Sequence, residues 1–355
     1  MIHFVIILSI VFSFLRVNNK SGLYLTFFPL FIFSAFRYNY GPDYDDYYNY
    51  FMILHHRIPM NSKCLSPEIG FRFLNLITPD FNVLISIVTF FFLIIIFDMI
   101  LKNIKGSLFI GLSCFIFLIN PNIFLIYLSA IRQSIALIFF LIAVNYGIKR
   151  KIVPYCFCIF LAFLFHKSAI ILLPMYFIMD EKPVKLIWIV FILIILFGLT
   201  LIGNTFFNMV NMVLTVMGNK NYMALFNSNL QNSLRATMLT SIYLFYVSFS
   251  IPHLKGKALV YSKLYCLGLM LGILAYKVSF VTRLQMYFDV FSIISLPIIL
   301  KENFLYYKKS LIGSLIFVYG IPLILLAIYL LRYYSFFMNP NWLSFSNYHT
   351  ILSTL

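Results

Sequence analysis

The sequence predicts an all-α, polytopic integral membrane protein with about 10–12 transmembrane helices. Three observations carry this. The 355 residues are 63% hydrophobic and only 10% charged, with a mean hydropathy of +0.97, whereas a soluble domain uses about 25% charged residues. Apolar runs recur that are long enough to cross a hydrocarbon core of about 30 Å. Lys and Arg gather in short clusters between those runs, as the positive-inside rule expects. The net charge of +16 therefore reads as an orientation signal and not as a nucleic-acid surface. A transmembrane barrel would show alternating short segments instead.

Apolar runs place helices near 2–17, 22–36, 81–101, 107–120, 122–148, 183–203, 235–252, 258–279, 282–300 and 309–331. The first run lacks a basic leader and a small-residue cleavage site, so it is expected to be retained. Cys64, Cys114, Cys156, Cys158 and Cys266 are scattered and show neither a disulfide framework nor zinc spacing. Residues 1–355 read as a single transmembrane domain.

The basic clusters are Arg16/Lys20, Lys102/Lys105, Lys149-Arg150-Lys151, Lys255/Lys257 and Lys301/Lys308/Lys309. With the first three in the cytoplasm, the N-terminus and loop 37–80 face outward. The run 152–179 then decides the parity. Its 28 residues would reach about 42 Å as one helix, and Phe165-His166-Lys167-Ser168 interrupts it. Two short pieces fit a re-entrant or short helical hairpin, which returns both later basic clusters to the cytoplasm. The competing solution is an extra crossing around 205–217, which Asn208 and Asn211 disfavour. Loop 204–234 and the tail after Arg332 are expected outside. There is no G-x-x-x-x-G-K-[ST] phosphate loop, which argues against an ATP-driven pump or a cytosolic nucleotide-sugar enzyme.

The outer loop 37–80 is unlike the rest of the chain. Five of the ten acidic residues lie there: Asp43, Asp45, Asp46, Glu68 and Asp80. Six tyrosines occur in the thirteen residues 38–50, a density that suits either an interfacial aromatic belt or stacking on sugar rings. Ionisable groups embedded in apolar runs cost about 2.5–3.5 kcal/mol on insertion scales and are functional candidates by default. Four stand out. Arg37 ends the second helix, and Arg132, beside Gln133, lies about a third of the way into the helix 122–148. His166 sits at the hairpin break, and Arg283 begins the helix 282–300 with Tyr287 one turn on. The basic clusters, which are other residues, place all four at the outer level alongside the acids. Each alone has a plainer reading as a structural partner or a snorkelling end residue. Asp289 reads as a buried partner for Arg283 or Lys277.

Arginines at the outer leaflet suit phosphate or pyrophosphate, because the guanidinium fork pairs with its oxygens and stays charged. A carboxylate or histidine nearby could serve as general base toward a sugar hydroxyl. No metal cluster or cofactor is required.

The pattern Arg37-x3-Gly41-x-Asp43-x3-Tyr47, Pro67-Glu68-x-Gly70-Phe71, Ala130-Ile131-Arg132-Gln133-Ser134-Ile135-Ala136, Phe165-His166-Lys167-Ser168-Ala169 and Arg283-x3-Tyr287-Phe288 resembles the EpsG family. These are Wzy-like bacterial polymerases of capsular or exopolysaccharide. The resemblance runs over about residues 30–300, and Asn347-Tyr348 is loosely similar to the family's ending. It implies a glycosyltransferase of the bacterial cytoplasmic membrane with its site facing outward. The growing glycan would pass from undecaprenyl pyrophosphate onto the next lipid-linked repeat unit. Partners are then the lipid-linked oligosaccharide and membrane lipid, with no nucleic acid; a chain-length regulator is a further partner that the resemblance leaves open. By the same implication Arg37, Arg132 and Arg283, with Gln133 and Tyr287, hold the pyrophosphate and substrate. Asp43, Glu68 or His166 activates or orients the acceptor, and the choice of base stays open. An O-antigen ligase or membrane acyltransferase shares the donor chemistry. A lipid-linked oligosaccharide flippase should instead hold its polar groups near the midplane in two related halves.

Overall fold

A computed structural model of the chain describes residues 1–15, 21–58, 68–182, 234–275 and 280–351. The expected span 183–203, most of loop 204–234, Lys277 and Cys64 lie outside them. The chain divides into two compact units, Met1–Asp180 with Tyr329–Leu355, and Glu181–Ile328.

The fold class is the one the composition predicts, an all-α polytopic membrane architecture. Among the described residues, α5 (Phe81–Asn103), α8 (Ile131–Ile148), α11 (Gly256–Leu274) and α14 (Leu311–Met338) are long and apolar enough to cross a membrane. The bent pair α12 (Phe280–Asp289) and α13 (Ser292–Tyr307) would make a fifth span. Shorter helices include α1 (Ile2–Phe14), α2 (Ser21–Ala35), α6 (Ser107–Ile119) and α10 (Leu234–Ser250). The run expected to end near 331 continues as helix to Met338, with a π-helical stretch at Ser314–Gly320.

In the first unit the run 152–179 forms the expected hairpin. Helix α9 (Ile152–Phe165) stops at His166, and a 3₁₀ helix, Lys167–Phe177, returns along it. At 1.5 and 2.0 Å per residue the two arms have matching lengths of about 21 and 22 Å, both short of a full crossing. Their far ends are pinned together. Tyr155 donates to Leu172 O at 2.5 Å, Arg150 Nη1 donates to Tyr176 O at 3.0 Å, and the Tyr176 hydroxyl donates to Arg150 O at 2.9 Å.

Two expected helices are broken. The run 122–148 divides at Ala130 into α7 (Leu125–Ser129) and α8, so Arg132 stands in the first turn of a helix and not a third of the way along one. A break strands carbonyls that a continuous helix would bond. Here the Ser134 hydroxyl donates to Tyr127 O, and Arg37 Nη2 donates to Leu128 O at 2.9 Å. In the second unit, 282–300 bends by 54° between α12 and α13. The Ser292 hydroxyl takes Asp289 O at 2.7 Å, again replacing a lost backbone donor.

The described residues of loop 37–80 are folded. The strand β1 (Arg37–Tyr38) pairs antiparallel with β2 (His349–Thr350), and α3 (Tyr44–Leu54) and α4 (Ile69–Ile77) follow it. Tyr44, Tyr47, Tyr50 and Phe51 are buried against Phe71 and Phe81. Tyr44, Tyr47 and Tyr50 thus form core between α3, α4 and α5, with Tyr38 and Tyr48 partly buried against it; burying each such ring stabilises the loop by roughly 1.5–3 kcal/mol. Tyr348 stacks on Phe33 at 4.3 Å and donates to Phe33 O at 2.7 Å, which ties the C-terminal tail to the end of α2.

Gly41 turns the chain between β1 and α3 with φ +96, and a Cβ there would lie 2.9 Å from the Ser129 Cβ. Gly41→Ala is therefore expected to destabilise the first unit by about 1–3 kcal/mol. Thermal unfolding in detergent measures this, and an unchanged midpoint would show that the turn is not fixed against α7.

Candidate functional site

Glu68 is the residue on which the site is assembled. It occupies the N-cap position of α4, where its backbone carbonyl accepts the Arg72 N–H at 3.1 Å, but its side chain does not cap the helix. The carboxylate points to two other segments. Oε2 accepts from Arg132 Nη1 at 2.7 Å, and Oε1 accepts from the backbone N–H of Lys167 at 3.2 Å. His166 Nδ1 stands 3.7 Å from Oε1, an ion-pair distance when the ring is protonated and longer than a hydrogen bond. The three side chains are only 10–19% exposed, so these interactions are shielded from solvent.

Local structure explains why they meet. The break at Ala130 puts Arg132 at the start of α8. The break at His166 puts that ring at the hairpin tip, where its backbone is extended. Gly70 lets the tip dock on α4, since a Cβ there would lie 2.8 Å from Leu164 O. The guanidinium of Arg132 is held on a second side by Tyr47, whose hydroxyl faces Nε at 3.4 Å and whose ring centroid lies 5.6 Å from Cζ. That geometry combines a long hydrogen bond with a cation–π contact. Burial pushes the Tyr47 phenol up against the opposing effect of Arg132, so it stays neutral. Arg132 Nη2 has no partner among the described residues.

The Glu68 carboxyl is held down to about 2. Burial alone would raise it; the approach of His166, the backbone amides of Glu68 and Lys167, and the Arg132 charge outweigh burial.

The other expected residues fall into place around this cluster or apart from it. Asp43 begins α3 one turn before Tyr47, half-buried, and its backbone N–H donates to Ser129 Oγ at 3.1 Å. Asp45 and Asp46 are exposed in the first turn of α3, where they favour the helix dipole. Gln133 is buried in the first turn of α8. Arg37 is turned inward onto Ser34 O, Leu128 O and Thr89 Oγ1. Arg283 is exposed on α12 and Tyr287 is buried one turn on, both in the second unit. Asp289 there accepts from Gln285 Nε2 at 3.1 Å. The sequence places Tyr47 only in the family pattern, without a role, and gives no sign of the Lys167 amide. The spacing of four from Asp43 to Tyr47, one helical turn, is the signal that points to the first.

With this geometry in view, the comparison with known families is decisive. The EpsG family model matches residues 20–350. The chain belongs to the EpsG family. Membership suggests a multi-pass membrane protein of the polysaccharide-polymerase type, consistent with the apolar helices above. No curated protein and no solved structure matches this EpsG-family chain.

Because Glu68 is depressed from its ordinary 4.5 to about 2, its contribution to stability is present above about pH 4.5 and is lost as the pH falls toward 2. The unfolding midpoint of the wild type should drop across that window, and Glu68→Gln should remove that part of the drop. Superposable pH profiles for the two proteins would mean that the carboxylate is not held by these partners.

Proposed function

We propose that this protein is a polysaccharide polymerase that moves a growing glycan from a polyprenyl pyrophosphate carrier onto the next lipid-linked repeat unit at the outer face of the cytoplasmic membrane. The observation that carries the reading is the gathering of Arg132 and His166 on one shielded carboxylate, Glu68, from two helix breaks and a loop. Family membership supports the same chemistry.

In this reading the acceptor hydroxyl attacks the anomeric carbon, the new C–O bond forms, and the bond from that carbon to the pyrophosphate oxygen breaks. His166 takes the acceptor's proton on Nε2, because Nδ1 faces Glu68. Glu68 Oε1 faces Nδ1 at 3.7 Å, which leaves Nε2 for the acceptor. Arg132 meets the charge that develops on the departing pyrophosphate, with Nη2 directed to it while Glu68 and Tyr47 hold the other nitrogens. Asp43 helps to place the acceptor, and Gln133 supports Arg132. Arg37 gives three of its N–H groups to two protein carbonyls and the Thr89 hydroxyl and is assigned to holding the helices.

In a strain lacking the protein, single lipid-linked units or one-unit products should accumulate outside the cell. Units trapped inside would point to a flippase, and intact polymerisation would overturn the reading. His166→Ala should lower polymer formation by about 10²–10⁴-fold, the contribution of a positioned general base, and Arg132→Lys should lose most of it because an ammonium cannot keep both contacts. Wild-type chain lengths in inserted variants would remove those residues from the mechanism. Orientation has its own test. A cysteine introduced at exposed Asn49, in a chain without its native cysteines, should react with a membrane-impermeant thiol reagent on intact spheroplasts. Protection there, with labelling after lysis, would reverse the topology.

A further inference from the structure

Helix α4 is built inside out. Phe71 and Asn75, one turn apart, are fully buried, and the Asn75 amide donates to Phe71 O at 2.7 Å. The face turned to the core therefore carries a polar side chain. The opposite face carries Ile69, Phe73, Leu76 and Ile77, spaced i, i+4, i+7 and i+8 and each 51–71% exposed. A helix at a boundary with water has these faces the other way round. Arg72 is also exposed and borders the apolar face, with a stem long enough to carry its charge past it. The nine residues of α4 span about 14 Å, too short to cross a bilayer.

What α4 rests on fixes its depth. Gly70 seats it on the backbone of Leu164, two residues before the hairpin tip at His166. The hairpin starts beside Lys149-Arg150-Lys151, a cluster that marks one membrane boundary. Its arms of about 21 and 22 Å leave the tip about 8–9 Å inside the other boundary of a core about 30 Å thick. Exposure on the hairpin agrees with that depth. Val153, Phe157 and Phe160 along α9 and Ile170 beside the tip are each more than half exposed. An outward surface that stays apolar as far as the tip suits hydrocarbon as far as the tip.

We infer that α4 is immersed in the lipid leaflet on the side of the hairpin tip, with Ile69, Phe73, Leu76 and Ile77 among the acyl chains and Arg72 at the level of the phosphates. Short amphipathic helices hold such a position through buried apolar area and the attraction of basic residues for anionic lipid. Glu68 directly precedes Ile69, so the carboxylate that pairs with Arg132 stands at the edge of the lipid and not in an open aqueous loop. A lipid-linked substrate then reaches it from the membrane plane without leaving the leaflet. That consequence rests on the polymerase reading. The immersion rests on α4 and the hairpin alone, so either can fail without the other.

The test uses the full-length protein, without its native cysteines, in vesicles of phosphatidylethanolamine and phosphatidylglycerol, with a nitroxide on one introduced cysteine. Labels at Phe73→Cys and Leu76→Cys should collide more often with lipid-soluble oxygen than with a water-soluble nickel chelate, and a label at exposed Asn49→Cys should show the reverse. Nickel collisions in excess at both α4 positions would put the face in water. Few collisions with either reagent would put it beneath another segment of the chain. Each of these two results overturns the inference. If a cysteine variant does not insert, Phe73→Trp retains an aromatic ring, and its emission, after subtraction of the wild-type signal, should be quenched by acyl chains that carry bromine. Equal emission in brominated and ordinary lipid would overturn the inference as well. Neither measurement reads polymer formation, so a failed polymerase reading would leave these outcomes standing.

Discussion

Inside an apolar protein a broken helix must find its own donors, because no water reaches the freed carbonyls. The first unit depends on how that requirement is met at Ala130. A continuous helix would bond Tyr127 O and Leu128 O to the amides of Ile131 and Arg132. Instead, the Ser134 hydroxyl and Arg37 Nη2 take those carbonyls. Arg37 also donates to Ser34 O at the end of α2, so one guanidinium serves two helix C-termini, where cations are favoured. Its third contact, to Thr89 Oγ1 at 3.1 Å, adds α5 to the same point. The break is thus held from a residue 91 positions away, and it is the break that brings Arg132 to the start of α8.

The polar cluster follows from that placement. A shielded ion pair is poor evidence for stability, since desolvating two charges offsets most of their attraction. What the Glu68–Arg132 bridge contributes is direction. Arg132 is gripped at Nη1 by the carboxylate and at Nε by Tyr47, which fixes the plane of the guanidinium fork. Glu68 is fixed in turn by the Lys167 amide, a donor that exists there because α9 ends at His166. Three helix termini therefore converge, and each supplies what a regular helix interior would have kept for itself.

Much of this was legible in the residues, for physical reasons that differ by feature. The spans show in runs of apolar side chains, because hydrocarbon imposes length and composition directly. The hairpin showed because 28 residues are too many for one crossing and His166-Lys167 interrupts them. The breaks at Ala130 and after Asp289 did not show. Neither carries a proline or glycine, and the groups that satisfy the freed carbonyls are a serine hydroxyl or a distant arginine, neither of which marks a break in the sequence. Glu68, Arg132 and His166 stood out as ionisable groups in oily surroundings, yet their mutual contact is a property of the fold. Tyr47 was hidden among tyrosines that bury their rings, and the pairing of the tail with Arg37–Tyr38 joins segments more than 300 residues apart.

The charge balance of the cluster bears on the proposed reaction. With His166 neutral, Arg132 and Glu68 cancel, and an anionic carrier meets no strong net field. When the acceptor's proton arrives on His166, the cluster gains one positive charge while the leaving pyrophosphate gains a negative one. Stabilisation then grows along the reaction coordinate and is not spent on binding the ground state, which is the condition for raising a rate. A carboxylate placed beside a phosphate-binding arginine looks counterproductive by Coulomb's law alone. It becomes useful because it fixes the fork of Arg132 beside the base, so that a cation already stands in place at the moment the departing group needs one.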